Sequence, residues 1–237
     1  MIERLRQPAN NPRISVLDAA KPYTIAALYQ YLQKPIMVIT AQPEKSKKLY
    51  EQISMWHNSP EIKLFPEPDI LPYQRIAYDS STEMERLQVL FTLTMANSAA
   101  NKPLIITSAA SIMQNIIPYD DFTGNCHIIK TGMEIEPLQL LRQWESIGYN
   151  IESTVDIPGT ISHRGGIIDI FPPSSELPAR IEFFGNTIDN IRLFDPTDQR
   201  SVKSVLSVAI IPATELPTFL SNNQSKLKKV VNNLDLN

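Results

Sequence analysis

The sequence predicts an α/β chain in two parts, a parallel-sheet domain followed by a small α+β domain with a mainly antiparallel sheet. Three observations predict it. Strand-like and helix-like segments alternate through the first half. Around PYDDFTGN that alternation gives way to short strands punctuated by glycine and proline. The composition, 43% hydrophobic and 20% charged over 237 residues, is that of a folded chain with room for one large domain or two ordinary ones.

In the first half, TIAALYQYL sets Ile25, Leu28, Tyr29 and Leu32 at helical spacing, and PIMVIT follows as a buried strand. PEKSKKLYEQISMWH aligns Leu49, Ile53 and Trp56 on one helical face and lysines on another. IKLF is a short strand, and EMERLQVLFTLTMAN is a helix carrying Leu87, Leu90 and Phe91. PLIITS is a second buried strand, with the short helix SIMQNII after it. Such alternation implies a parallel sheet covered on both faces.

Past the change of texture, HIIK is a strand and EPLQLLRQWESIGY a helix that Gly148 ends. ESTVDI, GIIDIF, ARIEFF, TIDNIRLFD and SVLSVAIIP then read as strands. FFGNTI marks a hairpin turn, with Gly185 and Asn186 able to adopt positive φ, although the pattern leaves its register open. The expected domains are 1–120, 121–212 and 213–237, joined first near residues 119–124. The last stretch, SNNQSKLKKVVNNLDLN, starts a helical pattern without a recognisable finish, so it reads as the start of a further domain.

The formal net charge of −3 gives no general attraction to nucleic acid or acidic membranes. A single cysteine, Cys126, forms no internal disulfide, and with three scattered histidines (His57, His127, His163) it makes no zinc spacing. The start, MIERLRQPANNPR, lacks the apolar core of a signal peptide, and no apolar run is long enough to span a bilayer. The expectation is a soluble, cytoplasmic and monomeric chain.

An alternating α/β domain invites a search for a phosphate loop, which needs glycines so that backbone amides can close around phosphate oxygens. The chain has seven glycines, and none precedes Gly124. VLDAAKPYTIAAL offers Lys21 but no glycine, so Lys21 reads as a solvated lysine at a helix start. The first domain therefore has the outline of a degenerate nucleotide-binding-like fold without its phosphate loop. Asp18, Asp69, Asp79 and Glu83 are the acidic candidates for catalysis, against the plainer reading that they cap helices or face water. Cys126 has only its neighbour His127 for a partner, and the two would point to opposite faces of a strand. His163 beside Arg164 reads as a surface histidine, and Trp56 and Trp144 as core. No catalytic residue or metal site is assigned, and no cofactor is expected.

The stretch RGGIIDIFPPSSELPARIEFFG carries the remaining signal. Strand alternation places Arg180, Glu182 and Phe184 on one face and Ile181 and Phe183 on the other. Arg164 stands directly before Gly165 and Gly166. From the residues alone, two readings of Phe184 remain open. It is either core or one side of an exposed arginine–aromatic surface of the kind that dominates protein interfaces.

Two segments, FPEPDILPYQRIAYDSSTEMERLQVLFTL (65–93) and RGGIIDIFPPSSELPARIEFFGNTIDNIRLFDPTDQRSV (164–202), resemble the N-terminal UvrB-like region of the bacterial transcription-repair coupling factors, the Mfd family. R-G-x-x-x-D-[IL]-F-P and F-D-x-x-x-Q-R keep their order and spacing, and the similarity runs from about residue 16 to 218. UvrB shares the second motif more loosely, but it carries an intact phosphate loop and an aromatic-rich DNA-gripping hairpin. Here FPEPDILPYQRIAYDSST, with Tyr73 and Tyr78, bridges that gap.

The resemblance implies a non-catalytic adaptor that recruits UvrA in transcription-coupled nucleotide excision repair. The region from Pro118 to Pro212 would bind UvrA, and Arg164, Arg180 and Phe184 match positions implicated in that contact. It also implies that ATP, Mg, RNA polymerase and DNA are handled by an ATP-dependent translocase elsewhere in a longer parent chain. The alternatives are a UvrB-type nucleotide-dependent helicase domain and a direct DNA-binding module. The missing phosphate loop speaks against the former, and the acidic balance and missing hairpin against the latter.

Overall fold

The computed structural model describes residues 15–57, 59–68, 80–95 and 102–215. They fall into two compact units, one drawn from Met1–Asp69 and Thr92–Gln114, the other from Ile70–Phe91 and Asn115–Asn237.

The first unit is α/β. Helices α1 (Lys21–Leu32) and α2 (Pro43–Trp56) and strands β1 (Ile36–Thr40), β2 (Ile62–Phe65) and β3 (Leu104–Ser108) build it, with a parallel sheet in the order β1-β3-β2. The register lines Ile36 and Val38 up with Leu104 and Ile106, and Ile62 with Leu104. Ala26 and Ile53 pack with Ile62, Leu104 and Ile106 in one core. Prolines that need no amide partner open both helices: Pro22 lies in the first turn of α1, and Pro43 is the first residue of α2. Strand β3 is buried along its whole length, as its unbroken apolar run predicts.

Strand β1 is not. It lies at the sheet edge, and its alternate residues Met37 and Ile39 are 51% and 52% exposed, which corrects the expectation of a strand covered on both faces. Trp56 is likewise not core. It is 63% exposed and meets Tyr23 edge to face with ring centroids 5.3 Å apart. Helix α2 ends at that residue, and its core contacts come from earlier turns, where Ile53 is buried with Leu49 and Tyr50 packed beside it.

Helix α3 (Ser80–Met95) buries Met84, Leu87, Val89 and Leu90, and its residues up to Phe91 group with the second unit. After β3, helix α4 (Ala109–Met113) starts two residues before the predicted SIMQNII, because Ser108 caps it by accepting from the Ser111 amide at 3.1 Å.

The second unit is mainly antiparallel. A short helix, α5 (Tyr119–Gly124), occupies the point where the sequence texture changes and buries Phe122. Strand β4 (His127–Lys130), helix α6 (Pro137–Ser146) and strand β5 (Asn150–Ile151) follow. Then come β6 (Thr160–Arg164), β7 (Ile167–Ile170), β8 (Ala179–Phe184), β9 (Thr187–Phe194), β10 (Ser201–Ser204) and β11 (Ser207–Ile210). Six strands form one sheet in the order β10-β9-β8-β7-β6-β5, and β11 pairs with β4. Only the β5–β6 ladder of that larger sheet is parallel. Leu140, Leu141 and Trp144 of α6 pack on Ile161, Ile168, Ile181 and Ile191, and this packing forms the main core.

Three strand assignments change. ESTVDI contributes no residue to a strand, because β5 ends at Ile151 and Val155 packs from a loop. TISHR, unpredicted, is strand β6. The run SVLSVAIIP divides between β10, which begins earlier, and β11. The hairpin register that the pattern left open pairs Phe184 with Thr187, with an irregularity between Glu182 and Phe183. Of its two turn residues only Gly185 takes positive φ, at 63°.

Helix α6 ends as predicted. The amides of Gly148 and Tyr149 return to the carbonyls of Glu145 and Trp144, and Gly148 holds φ 101°. A Cβ there would stand 2.4 Å from Thr214 Cγ2 and 3.2 Å from the Thr214 amide. Gly148→Ala is therefore expected to lower stability by about 2 kcal/mol, through left-handed strain plus overpacking, as a urea midpoint would show. The same tail is held from the other side. Glu83 accepts from Thr214 Oγ1 at 2.7 Å and from the Glu215 amide at 2.6 Å, and the buried Arg86 pairs with Glu215. Among the described residues no helix is long and apolar enough to cross a membrane.

Candidate functional site

The strand registers decide which side chains share the outer face of the six-stranded sheet, away from α6. Ser162, Asp169, Arg180 and Arg192 stand in one cross-strand row. Arg164, Ile167, Glu182 and Asn190 stand in the next. Phe184, two residues beyond Glu182, projects from the same face. Ile181 is fully buried and Phe183 packs against the core, so the alternation read from ARIEFF is the alternation of the folded strand. The sheet brings Arg164, Arg180 and Phe184 to one face.

They differ in what holds them. Phe184 is 84% exposed at the hairpin end of β8. Arg164 ends β6, and Gly165 and Gly166 make the turn into β7, with Gly165 at φ 61°. Its guanidinium donates to the Ser153 carbonyl, and it borders a cleft of about 530 Å³ between α6 and the β5–β6 edge.

Arg180 is enclosed. Nε and Nη2 donate to the two carboxylate oxygens of Asp169, each at 2.8 Å, and Nη1 reaches the Gln199 carbonyl at 3.5 Å. Its guanidinium lies 4.7 Å from the centroid of the Phe194 ring. The hydrogen bonds to Asp169 raise its already high pKa further. Among the described residues these bonds leave one N–H on each of Nη1 and Nη2.

The motif residues that sequence reasoning did not assign are Asp169 and Phe194. One signal for Asp169 was present: a lone carboxylate among the isoleucines of GIIDIF needs a cation across the strand.

The other candidates are accounted for locally. Asp18 pairs with Lys21 three residues on, and that hydrogen bond lowers its pKa. Asp69 and Asp79, like Tyr73 and Tyr78, lie outside the described residues. Burial raises the pKa of Glu83, whose carboxylate is spent on Thr214 and Glu215. Cys126 donates to the Phe122 carbonyl at 3.2 Å, and burial pushes its thiol up to about 11, so it carries no thiolate at neutral pH. His163 is exposed.

His127 accepts a hydrogen bond at Nε2 from the indole N–H of Trp144, which is fully buried, at 3.0 Å. That bond requires an unprotonated Nε2, and burial holds the imidazole below its usual range. The unfolded chain takes up a proton near pH 6.5 while the folded one resists. Stability is therefore expected to fall as pH drops below that value, and to fall less in His127→Gln, which keeps an acceptor. Paired urea titrations at pH 7.5 and 5.5 measure the difference.

A family model described as the UvrB interaction domain matches residues 128–216, which hold the whole of this face. The chain is 31% identical over 198 residues, 84% of its length, to a transcription-repair-coupling factor of Bacillus subtilis (strain 168). It is 28% identical over 222 residues, 91% of its length, to that of Myxococcus xanthus, and 28% over 200 residues, 84%, to that of Escherichia coli (strain K12). The chain spans 16%, 18% and 17% of the length of those relatives. It belongs to the transcription-repair-coupling factor family and corresponds to the N-terminal, UvrB-like region of that family.

Proposed function

We propose that this chain is a non-catalytic adaptor that recruits UvrA in transcription-coupled nucleotide excision repair, with Arg164, Arg180 and Phe184 on the contact surface. The observation that carries the reading is Phe184. A large aromatic ring left 84% exposed on the face that carries Arg164 and Arg180, inside the region matching a UvrB interaction domain, has the composition of a binding hot spot. Arg164 supplies a guanidinium able to meet a partner carboxylate through two parallel bonds. Arg180 shapes the same face while pinned to Asp169.

Within a longer parent chain, an ATP- and Mg-dependent DNA translocase acting on stalled RNA polymerase would use this module to deliver UvrA. A pull-down of purified UvrA by the 237-residue chain tests the recruitment directly. Retention of UvrA is the expected result, and UvrA in the unbound fraction at micromolar concentrations would overturn it.

The absence of glycine before Gly124 separates this reading from a UvrB-type motor domain. Isothermal titration with Mg-ATP is expected to give no saturable heat. A micromolar site would revive the motor reading.

A further inference from the structure

The outer face of the sheet has two unlike ends. At one end Val155, Phe171 and Phe194 bury each other in a small second core, with Arg180 against Phe194. At the other end Arg164, Ile167 and Phe184 stand uncovered. Ile167 is the surprising member. In β7, Ile168 and Ile170 are fully buried on the core side, whereas Ile167 faces outward and is 36% exposed. It stands directly opposite Arg164 on one side and Glu182 on the other, with Phe184 diagonal to it. Such neighbours lie about 5 Å and 7–8 Å apart between Cβ atoms. An isoleucine, a phenylalanine and an arginine thus form one continuous bare patch.

Charge on this face says what fits the patch. Asp169 neutralises Arg180, and Glu182 neutralises Arg192. Arg164 donates to a carbonyl and has no carboxylate partner among the described residues. The uncompensated charge beside Ile167 is positive, so a complementary surface is acidic around an apolar centre. Access is open. A Cβ added at Gly165 or Gly185, which flank the patch, would meet nothing within 4 Å, so among the described residues no side chain stands against either turn.

We propose that Ile167 is the central apolar anchor of the UvrA contact, taking an aliphatic or aromatic side chain of UvrA beside a UvrA carboxylate that pairs with Arg164. The proposal rests on the UvrA-binding reading above and adds to it a residue and the chemistry of its counterpart. An apolar anchor between a cation and an aromatic ring excludes water from the ion pair and strengthens it. A second copy of this chain suits the patch poorly, because a two-fold contact would set Arg164 near its own copy.

The test is calorimetric titration of UvrA with the 237-residue chain carrying Ile167→Thr, Ile167→Lys or Phe184→Ala. Val202→Thr serves as a control, since Val202 is 58% exposed on β10 at the far edge of the sheet. Threonine keeps the β-branched shape and strand preference of isoleucine, so Ile167→Thr, at a side chain 36% exposed, is expected to stay folded with only a small drop in melting temperature. It should bind UvrA about tenfold more weakly, and Ile167→Lys, which adds a cation and removes the anchor, about a hundredfold more weakly. Val202→Thr should match wild type. Ile167 variants binding within twofold of wild type while Phe184→Ala fails would overturn this inference and leave the UvrA reading standing. Unchanged binding by Ile167 and Phe184 variants alike would sink the reading itself. Ile167→Lys that turns a dimer into a monomer with UvrA affinity intact would assign the patch to a second copy instead.

Discussion

Arg180→Glu is expected to destabilise the antiparallel unit by about 3 kcal/mol, enough to remove a large part of the stability of an ordinary domain. Asp169 is 7% exposed, and its two oxygens are met by Nε and Nη2 of Arg180 at 2.8 Å each. Removing the cation leaves a buried carboxylate without a counter-charge, and a glutamate in its place sets a second carboxylate directly across the ladder. The guanidinium also lies on the Phe194 ring, so that packing is lost as well. Arg180→Lys keeps the charge but not the planar fork and should cost less. Urea unfolding measures all of this, and an unchanged midpoint for Arg180→Glu would show that the pair contributes nothing. UvrA binding by Arg180 variants therefore needs correction for folding, and Arg164 and Phe184 are the cleaner probes.

Phe184→Ala is expected to weaken UvrA binding by about 2 kcal/mol, roughly thirtyfold, and to leave the melting temperature unchanged. The two halves of that expectation have separate physical grounds. The ring is 84% exposed, so removing it opens no cavity and costs the fold almost nothing. An interface that covers the ring recovers the burial the fold does not supply, and truncation loses it. Arg164→Glu should cost a similar amount, because it opposes charge as well as deleting a contact. A marked drop in melting temperature for Phe184→Ala would mean that the ring packs within the domain.

The strand pattern of β8 was legible because period-two alternation is written in residue type: Ile181 and Phe183 against Arg180 and Glu182. Strand β6 was not. Thr160 and Ser162 are buried under the 153–157 loop and donate their hydroxyls to the Ile157 and Ser153 carbonyls, so small polar residues sit where alternation expects exposure. That cover comes from the segment read as the strand ESTVDI, so both errors share one cause. Strand β1 misled for the opposite reason. An apolar run identifies burial only when both faces are covered, and at a sheet edge Met37 and Ile39 remain half exposed. The candidate site was legible as far as its face. That Arg180 is bound to Asp169 while Arg164 has no carboxylate partner among the described residues depends on strand order and register, and no local pattern carries either.

The central claim is that the bare end of this sheet holds UvrA, and a side-by-side calorimetric titration tests it most directly. UvrA is titrated with the wild-type chain, with Phe184→Ala and with Arg164→Glu, each shown by its melting curve to be folded. The account predicts saturable binding by the wild type and at least tenfold weaker binding by both variants. Wild-type binding that survives unaltered in both, or no saturable binding by the wild type at micromolar concentrations, would contradict it.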